Sequence, residues 1–128
     1  MQFIKFYLAT IVPLMALDAV WLGLIVKDFN VRNIGFVINT FKPAPAIFFY
    51  LIYAAGLVYF VMRPTEGEPI LKIFLTGALF GLCTYATYDL TNQATIEGWP
   101  IAVTLTDMTW GAFASGTAVT IAAFLTRA

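Results

Sequence analysis

The chain has 128 residues, 61% of them apolar and 11% charged, where a soluble domain carries about 25% charged residues, so its solvent is lipid rather than water. Seven basic and seven acidic side chains cancel, which removes the positive field that nucleic-acid binding requires. Histidine is absent and Cys83 is the single cysteine, which excludes an internal disulfide, His-ligated haem, the usual zinc sites and Ser/His or Cys/His nucleophiles. Any catalysis would rest on carboxylates, tyrosines or a borrowed cofactor whose kind is unknown.

A hydrocarbon core about 30 Å thick needs about 20 mostly apolar residues in helical form. Four segments reach that length: Phe3 to Val26, Ala46 to Met62, Ile70 to about Asn92, and Pro100 to Leu125. They predict an all-α bundle of four transmembrane helices in a single membrane domain covering residues 1–128. The first segment is longer than the apolar stretch of about 7 to 15 residues in a secretory signal, and Pro13 and Asp18 interrupt it. It reads as a permanent helix, bent where Pro13 removes a backbone hydrogen bond. The loop that follows, Lys27 to Pro45, is too apolar to float in water, carrying Phe29, Val31, Ile34, Phe36, Val37, Ile38 and Phe41. It is expected to lie in the interface as a short amphipathic segment.

Further along, Pro64 and Pro69 bracket a polar turn, and Gly98-Trp99-Pro100 breaks the chain and restarts it at a first helical turn. Spans two, three and four are therefore antiparallel neighbours. Both termini fall on one side with Lys5, Arg63, Lys72 and Arg127, against Lys27, Arg32 and Lys42 on the other. That division slightly favours cytoplasmic termini, and its near balance also suits insertion in both directions as an antiparallel homodimer.

Three acids stand out, because an aspartate at a helix centre costs roughly 2.5 to 3.5 kcal/mol on the insertion scale. Asp18 lies near the end of the first span, Asp89 near the end of the third and Asp107 near the start of the fourth. Since odd and even spans run in opposite directions, all three come about 6 to 12 Å below the same surface, the one bearing the first and third loops. No lysine or arginine in the spans is placed to neutralise them, so the group is expected to share a proton or hold a cation.

Helical spacing sorts the neighbours of these acids. Thr104, Asp107, Gly111 and Ser115 share a stripe on the fourth span, and Gly77, Gly81, Tyr85, Tyr88 and Asn92 align on the third, with Asp89 at the edge. Small residues four apart allow close backbone approach, so spans one, three and four are expected to pack on each other while the second leans on the outside. A purely structural reading stands beside the functional one. Asp18 with Trp21, and Asp107 with Trp110, are three apart, so a carboxylate accepting an indole N–H from a nearby helix makes a clamp. Thr84, Thr87, Thr91 and Thr95 can bond their own backbone, and Tyr7 and Trp99 fit the role of interface anchors. Three acids at one level favour a pocket whose ligand-binding residues are Asp18, Trp21, Tyr88, Asp89, Asn92, Trp99, Asp107 and Trp110.

Four stretches, Leu17 to Gly23, Tyr85 to Thr95, Gly98-Trp99-Pro100 and Thr106 to Gly111, resemble a family of small bacterial membrane proteins catalogued as domain of unknown function 2177. The likeness spans nearly the whole chain, and its centre, Tyr88-Asp89-Leu90-Thr91-Asn92 followed by Gly98-Trp99-Pro100, is no generic apolar pattern. The resemblance implies four transmembrane helices in the bacterial inner membrane and attaches no activity to them.

Three functions compete. The first is an oligomeric membrane module that binds or transports a proton, a cation or the cationic end of an amphiphile, with the apolar first loop as its cover. The second is a noncatalytic subunit packed on a larger membrane complex through Phe48, Phe49, Tyr50, Tyr53, Tyr59 and Phe60 of the second span. The third, a lipid-modifying enzyme using an aspartate assisted by Tyr88, lacks a recognisable nucleophile motif, phosphate loop or metal-ligand set. Beyond the lipid bilayer itself, the expected partners are further copies of the chain or that larger complex.

Overall fold

The computed structural model describes residues 2–35 and 42–127, and every described element is helical. Helix α1, Gln2–Val20, runs through Pro13 without ending there and continues into a π turn, Trp21–Ile25, closed by the Val26 N–H on the Trp21 carbonyl at 2.8 Å. A short helix α2, Lys27–Ile34, follows. Helix α3, Pro43–Leu57, also ends in a π turn, Val58–Met62. Helices α4, Ile70–Thr95, and α5, Ile101–Arg127, complete the bundle. With their π turns, α1 and α3 join α4 and α5 as four helices long and apolar enough to cross a membrane. The protein is a multi-pass integral membrane protein.

Local chemistry explains the ends. Pro43 and Pro45 occupy the first turn of α3, where a missing N–H is harmless, so the helix starts ahead of Ala46. The Thr95 hydroxyl donates to the Thr91 carbonyl and secures a last turn of α4 beyond Asn92. Thr84 and Thr87 bond the carbonyls four residues behind them in the same way. Gly67 and Gly98 take positive φ values of 82° and 84° in the two tight turns, which only glycine adopts without strain.

Helices α4 and α5 form the most extensive pair. Their backbones meet at Gly77 and Gly81 against Gly111, Ser115 and Gly116, so closely that a methyl group added at Gly81 would strike the Gly111 carbonyl oxygen. Helix α1 packs on the other flank of α5 and touches α3. The expected three-way packing of spans one, three and four is thus corrected to a row, with α5 between α4 and α1.

The second span does not lean on the outside either. Tyr53, Ala54, Leu57, Val58, Val61 and Met62 are buried and join Phe6, Leu14, Ile73 and Val119 in the main core. Tyr53 can be buried because its hydroxyl pairs with Ser115 Oγ of α5 at 2.5 Å, which satisfies the one polar atom it carries. Phe48, Tyr59 and Phe60 remain exposed, Phe60 while stacking on Phe80 of α4.

The first loop begins as α2, whose Ile34 is buried against Trp99 and Val103, with Phe29 and Ile96 packed beside them. Phe36, Val37, Ile38 and Phe41 of that loop lie outside the described residues. At the end of the bundle that carries the termini, Arg127 donates to the Glu68 carbonyl at 2.7 Å and Gln2 to the Glu66 carboxylate at 3.2 Å.

Candidate functional site

The end of the bundle away from the termini holds a cavity of about 600 Å³. It lies among α1, α2, α3, α4 and α5, and Asp18, Asp89 and Asp107 all line it, so the three acids do share one pocket.

Each acid arrives from its own helix. Asp18 stands two residues before the end of α1's regular turns and accepts the Trp110 indole N–H from α5 at 2.6 Å through Oδ1. Its other oxygen, Oδ2, is buried and has no hydrogen-bond partner, although the Tyr50 phenol of α3 approaches the same carboxyl. Asp89, on α4, is 0% exposed and neither of its oxygens receives an N–H or hydroxyl donor. The Asp107 carboxyl approaches it across the seam between α4 and α5. Two carboxylates at such a seam repel if both are charged, and an unpaired buried charge is among the costliest features a fold can carry.

Aromatic rings make most of the remaining wall. Trp21 lies flat on Trp110, ring centroids 4.5 Å apart and 3° from parallel. The π turn that starts at Trp21 follows directly on the helix carrying Asp18, so both the acid and the stacked ring belong to one continuous span. Trp99 is buried, donates its indole N–H to Thr104 Oγ1 at 3.1 Å and meets Tyr88 edge to face at 6.2 Å. It is a packed wall residue rather than an anchor floating in the interface. Tyr7, the other residue given that role, donates to the Leu51 carbonyl at 3.0 Å.

Of the residues picked out in the sequence, Asp18, Trp21, Tyr88, Asp89, Trp99, Asp107 and Trp110 line the cavity. Asn92 does not. It lies one turn further along α4, where its carbonyl accepts the capping N–H of Ile96. The wall also includes Asn30 and Ile34 of α2, Phe49 and Tyr50 of α3, and Thr84 and Tyr85 of α4, none of which was counted in the site. Tyr85 carried a signal, being four residues before Asp89 on one helical face. Tyr50 carried a weaker one, three residues before Tyr53. Within the aromatic second span only the rotation of the helix separates Tyr50 and Tyr53, which turn inward, from Phe48, Tyr59 and Phe60, which do not.

The structural clamp anticipated for an Asp and Trp three apart is present in crossed form, because the acid of α1 is bonded by the tryptophan of α5. It accounts for one oxygen of Asp18. It leaves both oxygens of Asp89 unexplained.

A family model described as "Predicted membrane protein (DUF2177)" matches residues 3–125. The chain belongs to this family. The match covers the four spans but for Gln2 and the last two residues of the fourth, together with the cavity walls and every acid in them. No curated protein and no solved structure matches the chain.

Proposed function

We propose that the protein is a membrane binding or transport module that takes a cationic ligand into this cavity in exchange for a proton. The observation that carries the reading is Asp89, a fully buried carboxyl that receives no N–H or hydroxyl donor and has only the Asp107 carboxyl beside it, on the wall of a cavity of about 600 Å³. Buried polar groups are almost always paired within the protein, and those that are not need a ligand, a water or a proton to explain them.

The volume and the wall describe the ligand. Small-molecule sites occupy about 300 to 1,000 Å³ and are lined mostly by apolar and aromatic groups with a few polar ones. Among the described residues no group of three or more acids or thiols is arranged to hold a metal ion. Trp21, Trp99 and Trp110 present the indole surfaces on which organic cations rest, each contact worth about 0.5 to 2 kcal/mol. An organic ammonium therefore fits this wall better than a bare ion.

The exchange conserves charge in the seam. In the empty state Asp89 and Asp107 hold one proton between them. An arriving ammonium ion pairs with the freed carboxylate, and the displaced proton leaves to water. The cavity ends the cycle with the same net charge, which avoids the several kcal/mol that each uncompensated buried ion costs.

The experiment is direct, because all three tryptophans of the chain line the cavity and report on its contents. The full chain in lipid nanodiscs is titrated with dodecylammonium, reading tryptophan emission and proton release. Binding should weaken at least tenfold in Asp89→Asn and in Asp107→Asn. Equal binding in both variants and the parent would sink the proposal.

A further inference from the structure

Resting on that reading of the site, we infer that the ligand is an amphiphile that enters sideways from the bilayer, between α3 and α4, and keeps its tail in lipid while its ammonium head reaches Asp89 and Asp107. Three features of the cavity point to this route.

The aqueous end is roofed. Ile34 of α2, Trp99 of the turn before α5 and Val103 of α5 line the cavity and are themselves only 5%, 7% and 3% exposed, forming an apolar cluster with Phe29 and Ile96. A hydrophilic cation coming from water would have to part this cluster. The floor is closed as well. Tyr53 and Ser115 hydrogen-bond across it, and below them Leu57, Val58, Ile73 and Val119 fill the centre of the bundle.

The side is open. Along Pro43–Leu57 the α3 backbone packs on α1 and reaches α4 through side chains of its inner half, Tyr53 stacked on Phe80 and edge-on to Tyr85 and Gly56 beside Phe80, before the π turn Val58–Met62 closes on α4. Beyond that contact the cavity lies between residues 45–50 of α3 and 84–89 of α4, leaving a gap between the two helices. Phe49 of α3 and Tyr88 of α4 flank that gap, and both line the cavity while remaining 40% and 57% exposed. They are wall and rim at once.

The rim lies at the right level. Phe49 and Asp89 each lie about six residues inside the end of their helix, roughly 9 Å along the axis. Interfacial layers take up about 5 to 7 Å on each side of a core about 30 Å thick, so the gap opens just below the headgroups. An amphiphile already in the leaflet carries its charged end at that depth. It needs only to turn its head inward, so the chemistry selected is a long-chain ammonium rather than a small water-soluble one.

The test uses the unmodified chain in nanodiscs. Dodecylammonium is bound to saturation, read by tryptophan emission, and methylammonium is then added in hundredfold excess. The lateral route expects the dodecylammonium signal to survive. Separately, nanodiscs made with lipid brominated on acyl carbons near the headgroup should quench the tryptophan emission, and bound dodecylammonium should reduce that quenching. Displacement by that excess of methylammonium, or emission indifferent to brominated lipid, would overturn the lateral route. If displacement occurs while Asp89→Asn still abolishes binding, the cation site stands and only its amphiphile selectivity falls. If dodecylammonium binds the parent and the Asp89→Asn and Asp107→Asn variants alike, the cation reading falls and the inference with it.

Discussion

Trp21 and Trp110 lie face to face, 3° from parallel, and the indole of Trp110 at the same time donates to Asp18, the acid three residues before its stacking partner. One ring thus ties α5 to α1 twice, by stacking and by a hydrogen bond to a carboxyl. Replacing Trp110 with Phe keeps an aromatic face and removes the donor, leaving both oxygens of Asp18 without a partner. A double-mutant cycle of Trp110→Phe with Asp18→Ala, which removes the acceptor, read as thermal unfolding in detergent, should give a coupling of about 0.6 to 1.7 kcal/mol, the range found for hydrogen bonds between membrane helices. Strict additivity would show that the clamp contributes nothing.

Packing at the α4–α5 seam sets a sharper requirement. A side chain at Gly81 meets backbone of Gly111 and the Ser115 side chain, whereas nothing lies within 4 Å of a methyl group at Gly23. Gly81→Ala should therefore destabilise the protein by about 1 to 3 kcal/mol through overpacking. Gly23→Ala should be neutral or slightly stabilising, by up to about 1 kcal/mol, since alanine is the better helix former. Parallel unfolding curves for the two variants check the contrast. Equal effects would mean that the seam tolerates repacking.

The Tyr53–Ser115 bond allows a test of whether a buried partnership or its components matter more. Tyr53→Phe or Ser115→Ala alone leaves one hydroxyl buried without its partner and should cost about 1 to 3 kcal/mol. The double variant should be less destabilised than the sum of the two, because no orphan remains. Additive losses would show that neither hydroxyl depends on the other.

If the ligand exchanges for one proton, its affinity must follow pH. Protons compete for the same carboxyl, so lowering the pH weakens binding and raising it strengthens binding. Linkage sets the limit at about tenfold per pH unit for a single exchanged proton. Dodecylammonium titrations across several pH values, on the parent chain, should show this slope, and a flat profile would show that no proton leaves.

Much of this arrangement was legible in the residues, and the reasons for the remainder are physical. Span lengths and the alternation of direction placed Asp18, Asp89 and Asp107 at one depth, because axial rise is the same for every helix. The glycine and serine spacing announced the α4–α5 contact, because only small residues admit it. Rotation about a helix axis has no such signature when the helix is apolar all round. That is why Tyr50 and Tyr53 could not be told from Phe48 and Tyr59, and why α3 was placed outside a core it helps to form. The same gap in information concealed Asn30 and Ile34, since the apolar first loop was expected to cover the pocket but its pattern does not say which of its side chains face the cavity.

The π turn at Trp21–Ile25 makes this protein sensitive to an edit that substitutions cannot mimic. Such a turn amounts to one residue inserted into a regular helix, and each helical residue advances the chain by about 100°. Because the turn already absorbs one extra residue, removing one from Leu22–Ile25 should let α1 run on as an ordinary helix with α2 near its present place, whereas adding one that the turn cannot absorb should swing α2 by about that angle and carry Ile34 off Trp99. The frame of a single turn, rather than any side chain in it, then decides whether the acids see water.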